Sequence, residues 1–125
     1  MEKVDAIGGF FFRAKDPKAL AAWYEQHLGI NPVTQTADEQ PWMQKSGPTV
    51  FAPFAMDTEY FGAMDQQWML NFRVSNLDAL IEQLQSAGIE IGRRDEIADI
   101  GSFARIHDPE GNPIELWQPK KADDA

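Results

Sequence analysis

Cysteine is absent from the 125 residues, and histidine occurs only twice. Without thiols the chain forms no disulfide, builds no thiolate zinc site and offers no cysteine nucleophile. Basic residues are scarce as well: 11 Lys and Arg stand against 20 Asp and Glu, a formal charge of -9 with a pI near 4.5. Such a surface repels phosphate backbones and anionic membranes, so neither nucleic acid nor a membrane is expected as a partner. No stretch approaches the roughly 20 apolar residues that a membrane helix needs. The opening MEKVDAIGGFFFRAKD has no long apolar run after a basic start. It therefore does not read as a signal peptide, and a cytoplasmic location is expected. A phosphate-cradling glycine loop is missing, and no Ser-His-Asp set has a spacing that supports one.

Bulky apolar residues are plentiful. Hydrophobic residues make up 43% of the chain, with eight Phe and four Trp. That is enough for one compact core with aromatic surface left to line a pocket. The chain is also written twice. Phe12, Arg13, Ala19 and Leu20 return as Phe72, Arg73, Ala79 and Leu80. Gly29 and Ile30 return as Gly88 and Ile89, one residue short of the same interval.

Each copy opens with alternation at period two. Leu70, Phe72 and Val74 alternate with Met69, Asn71 and Arg73; Phe10, Phe12 and Ala14 alternate with Gly9, Phe11 and Arg13. Each strand runs into a helix start, capped by Asp16 with Pro17 behind it, or by Asn76. Leu77, Leu80, Ile81 and Leu84 form a helical stripe, and Leu20, Trp23, Tyr24 and Leu28 form its counterpart. Gly29 and Gly88 end the two helices. Strand-like sequence follows, with Asp108-Pro109-Glu110-Gly111 as the turn of a late hairpin and PWMQKSGPTVFAPF as a weaker first-half equivalent. Each half reads βαβββ.

A repeat of this kind, with D-P-x-x-L, W-Y and L-G-I from Asp16 to Ile30 and D-P-E-G-N-P-I-E-L from Asp108 to Leu116, resembles the vicinal oxygen chelate superfamily. That superfamily holds glyoxalase I, extradiol dioxygenases and bleomycin-resistance proteins. The resemblance spans residues 4–119 of the chain. It implies an α+β fold of two tandem βαβββ modules, forming a cup-shaped mixed sheet with helices outside and a ligand inside. The expected organisation is a single domain over 1–125, with module one at about 4–56, a linker at about 57–67 and module two at about 68–119. A homodimer is implied, with Phe61 and Trp68 as interface candidates.

Alternation assigns the cup face. Phe11, Arg13, Met69, Asn71, Arg73, Phe103, Arg105 and Trp117 are expected to line a ligand, with Glu115, Val50 and Ala52 also inward and Trp42 as a further pocket wall. Phe10, Phe12 and Phe72 are read as core. The family's enzymes hold a divalent ion with a His, Gln or Glu about seven residues before each helix cap and a Glu on the last strand of each half. The matching positions are Gly9, Val50, Met69 and Glu115. Glu115 alone is a donor for a hard ion, so the usual metal site is expected to be lost and no cofactor is predicted. His107 is read as a surface histidine and His27 as a helix-end cation.

The expected function is small-molecule binding, with sequestration of an aromatic or amphipathic ligand. The alternative is a lyase, isomerase or dioxygenase of the same superfamily, using a divalent metal or Glu115 as a base. A scaffold role with a filled cup is a third reading. The net charge favours a cationic ligand and the three arginines an anionic one, and the sequence leaves both open.

Overall fold

The computed structural model describes residues 1–32 and 36–120. Two helices and four strands follow in the order α1 (Pro17–Leu28), β1 (Leu70–Arg73), α2 (Leu77–Ser86), β2 (Arg94–Ile97), β3 (Gly101–His107) and β4 (Pro113–Pro119). The sequence signals account for the helix ends. The Asp16 carboxylate accepts from Ala19 N at 3.1 Å, and Asn76 does the same for Ala79 N at 3.1 Å. Each satisfies a backbone donor that the helix leaves unpaired. Gly29 closes α1 in the left-handed conformation, at φ 71°, where a side chain would be strained.

The strands form one open mixed sheet in the order β1-β4-β3-β2. β1 runs parallel to β4, and the remaining pairs are antiparallel. Both helices cover one face. Leu20 and Tyr24 of α1 and Leu77, Ile81 and Leu84 of α2 pack with Ala104, Ile106, Ile114 and Leu116 in a single core. Burial of these side chains, at about 25 cal/mol per Å² of apolar surface, is the main force holding helices to sheet. The opposite face carries no helix.

The second half is thus a complete βαβββ unit, but the first half departs from expectation. Among the described residues before Leu70 there is one helix and no strand. The segment over 40–56 carries Pro41, Pro48 and Pro53, which have no N–H to give to a ladder. The early segment puts Phe10, Phe11 and Phe12 side by side, which weakens any period-two signal. Phe10 and Phe12, expected in the core, pack instead on Trp68, at ring-centroid distances of 5.2 and 4.9 Å. α1 has no sheet of its own half to cover, and its Leu20 and Tyr24 join the core built on the second module's sheet.

Candidate functional site

Register decides which side chains share the uncovered face. Glu115 on β4 sits between Asn71 on β1 and Arg105 on β3. One step further along, Trp117 sits between Arg73 and Phe103. Six of the residues picked out by alternation therefore form two adjacent rows. Met69 lies half-buried just before β1.

Glu115 is the centre of this face and only 9% exposed. Its Oε1 accepts from Asn71 Nδ2 at 2.8 Å, and its Oε2 accepts from the Tyr60 hydroxyl. Arg105 donates from Nη2 to the Tyr60 carbonyl at 2.9 Å, and its guanidinium lies 4.9 Å from the centre of the Tyr60 ring. Arg105 Nε is buried and has no partner among the described residues. Beside this cluster Phe103 and Trp117 stack at 6.1 Å and 4° between planes, and Trp117 Nε1 donates to Ile100 O at 3.0 Å. Burial, and then the bond to Glu115, push the Tyr60 hydroxyl above its ordinary value, so the phenol is held neutral. The remaining gap between Tyr60, Arg93, Asp95, Phe103, Arg105 and Glu115 is about 10 Å³.

Other expected residues lie elsewhere. Phe11 is 94% exposed, and Arg13 is exposed too. Neither reaches Glu115's cluster, because no ladder draws the early segment onto the sheet. Trp42 meets Phe72 edge-on at 6.3 Å. Val50 is exposed rather than inward. Arg73 spends its guanidinium on the carbonyls of Lys45 (3.0 Å) and Ser46 (3.4 Å), which pins that loop to β1. Tyr60 was not legible beforehand, since it sits in the expected linker with no periodicity to place it. A larger hollow of about 460 Å³ lies beside Trp23, Ile89, Glu90, His107 and Pro109, away from Glu115, with mostly exposed walls.

The donor set decides whether a divalent ion fits at the superfamily's place. Gly9 has no side chain, Val50 offers hydrocarbon and Met69 a soft thioether. Glu115 has both oxygens engaged by Asn71 and Tyr60. These residues do not fit such an ion. Among the described residues no group of three or more His, Asp and Glu converges anywhere else.

Comparison with known proteins agrees with this architecture. The family model described as a glyoxalase-like domain matches residues 9–117. No curated protein matches the chain. Similar solved structures include TnmS3, an antibiotic binding protein from Streptomyces sp. CB03234, at 21% identity and TM-score 0.62, covering 96% of this chain and 100% of that one. A lactoylglutathione lyase from Agrobacterium tumefaciens is 17% identical with TM-score 0.63, covering 94% and 96%. A glyoxylase/bleomycin resistance protein/dioxygenase domain from Frankia sp. EAN1pec is 18% identical with TM-score 0.60, covering 94% and 100%. At these identities the likeness is one of fold, and function has to be argued from the site.

Proposed function

The chain belongs to the glyoxalase-like domain family of the vicinal oxygen chelate superfamily, and from that premise we propose that it binds a small aromatic or amphipathic molecule on the sheet face around Glu115. The observation that carries this reading is the composition of that face. A nearly buried carboxylate and an arginine with an unpartnered Nε stand beside the stacked pair of Phe103 and Trp117. A few fixed polar groups against aromatic walls are what a small-molecule site needs. Binding is favoured over catalysis by Glu115 as a base, because both of its oxygens already accept hydrogen bonds.

A homodimer belongs to the same reading. The chain exposes 9921 Å², against about 6,700 Å² for a compact monomer of its mass. The excess, on the order of 3,000 Å² per chain, is enough for an obligate interface. Among the described residues the apolar side chains of Phe11, Met43, Val50, Phe51 and Met56, all in the first half, are largely exposed. A second copy is the occupant that this area suits.

Thermal-shift screening with neutral, cationic and carboxylated arenes tests the binding reading, alongside elemental analysis after exposure to nickel, zinc, manganese and iron. The expected result is a rise in Tm with an arene, lost in Trp117→Ala, and no ion retained near one per chain. Retention of one ion per chain that Glu115→Ala abolishes would put the lyase, isomerase or dioxygenase reading first.

A further inference from the structure

Tyr60 lies on a turn outside every helix and strand, yet its side chain reaches Glu115 on the face just described. Its hydroxyl donates to Glu115, and Arg105 covers its ring at 4.9 Å. Phe54 stacks on it at 5.7 Å and 20°, and Arg93 stands 5.8 Å from its centre. A phenol is thus held by its hydroxyl, by its ring face and by a cation. The free space left beside it is about 10 Å³, close to the minimum for one water.

We propose that this face is a binding site for phenols, and that Tyr60 is its built-in occupant, which a free phenolic ligand displaces. The proposal rests on the reading that this face binds a small aromatic molecule, and it names the ligand class. Withdrawal of Tyr60 uncovers an oxygen of Glu115 and the face of Arg105. A carboxylated ligand would meet the Glu115 charge, whereas a neutral hydroxyl donates to it and its ring restores the contact with Arg105. The turn itself is held by two local bonds, Thr58 N to Ala55 O at 3.0 Å and Gly62 N to Glu59 O at 3.1 Å, and by one tie to the sheet, Arg105 Nη2 to the Tyr60 carbonyl at 2.9 Å, which the departing turn gives up. Its departure therefore breaks no pairing between strands.

The test is calorimetric titration of wild type, Tyr60→Gly and Tyr60→Phe with p-cresol, toluene and benzoate. In Tyr60→Gly, p-cresol is expected to bind at least about tenfold tighter than to wild type, and about tenfold tighter than toluene, the worth of a hydroxyl on a carboxylate. Benzoate is expected to bind more weakly than p-cresol. Tyr60→Phe keeps the ring and loses only the hydroxyl, so it decides the matter if the glycine variant does not fold; it too should bind p-cresol tighter than wild type does. Equal binding of p-cresol and toluene by Tyr60→Gly overturns the proposal, as does an absence of gain in both variants. If toluene or another arene still raises the Tm of wild type through Trp117, the broader binding reading stands while this one fails. If no arene binds any form, both fall.

Discussion

The Asp108 carboxylate accepts four hydrogen bonds: from the Tyr24 hydroxyl at 2.7 Å, from Asn112 Nδ2 at 2.8 Å, and from the backbone N–H groups of Glu110 and Asn112 at 2.9 and 3.0 Å. The carboxylate is 4% exposed, so its removal leaves donors that water does not readily reach. Asp108→Ala is expected to cost about 2–4 kcal/mol, read as a drop in chemical-denaturation midpoint without a change in slope. The Tyr24 hydroxyl is raised above its ordinary 10.0, by burial first and then by the bond and charge of Asp108. The unfolded chain gives up that proton at the ordinary value while the folded chain keeps it. The stability due to Tyr24 is therefore whole below pH 10.0 and lost as pH climbs toward the folded value. Alkaline unfolding curves should show this decline, and Tyr24→Phe should flatten it. Gly101 faces a steric limit rather than an electrostatic one. Its φ is +135°, and a Cβ there would sit 2.1 Å from Gln118 O. Gly101→Ala is expected to cost more than about 2 kcal/mol in the same assay, because the obstructing atom is backbone in the neighbouring strand.

At the scale of elements, the turn between β3 and β4 also anchors α1. The Glu110 carboxylate accepts from Lys15 N at 2.7 Å and from Asp16 N at 3.0 Å, reaching the chain just ahead of the helix. Glu110→Ala should cost about 1–2 kcal/mol and show as faster amide exchange at Ala19 and Leu20, with α2 little changed. The late motif was legible in the sequence as a turn, but its reach across to α1 was not, since 94 residues separate Glu110 from Asp16. Helices and caps were legible for a simple reason. Asp16, Pro17, Asn76 and the stripe of Leu77, Ile81 and Leu84 act within one or two turns of their own element. The first-half strands were expected from alternation around Phe10 to Ala14 and from PWMQKSGPTVFAPF, yet they form no ladder. Alternation states only which face a strand would show, and a ladder also needs a free neighbouring edge and N–H donors.

For the molecule as a whole, the excess surface sets the expectation. Light scattering on the eluting protein should give twice 14.1 kDa at micromolar concentration. Phe11→Asp with Phe51→Asp should halve that mass, by placing charge where apolar surface is bare. A monomeric mass for the wild type would remove the second copy from the reading. Among the described residues no helix is long and apolar enough to cross a membrane. By itself the sequence determined the α+β class, both helices with their caps, the late hairpin and the face on which Asn71, Arg105, Glu115 and Trp117 lie. All of these follow from periodicity and short-range chemistry. Only the tertiary structure decided that Tyr60 fills the space in front of Glu115, that Arg73 spends itself on a loop, and that Phe11 and Arg13 stay outside. Those outcomes depend on contacts between residues far apart in the chain, and on which edges of the sheet are free, and neither is written into any local pattern.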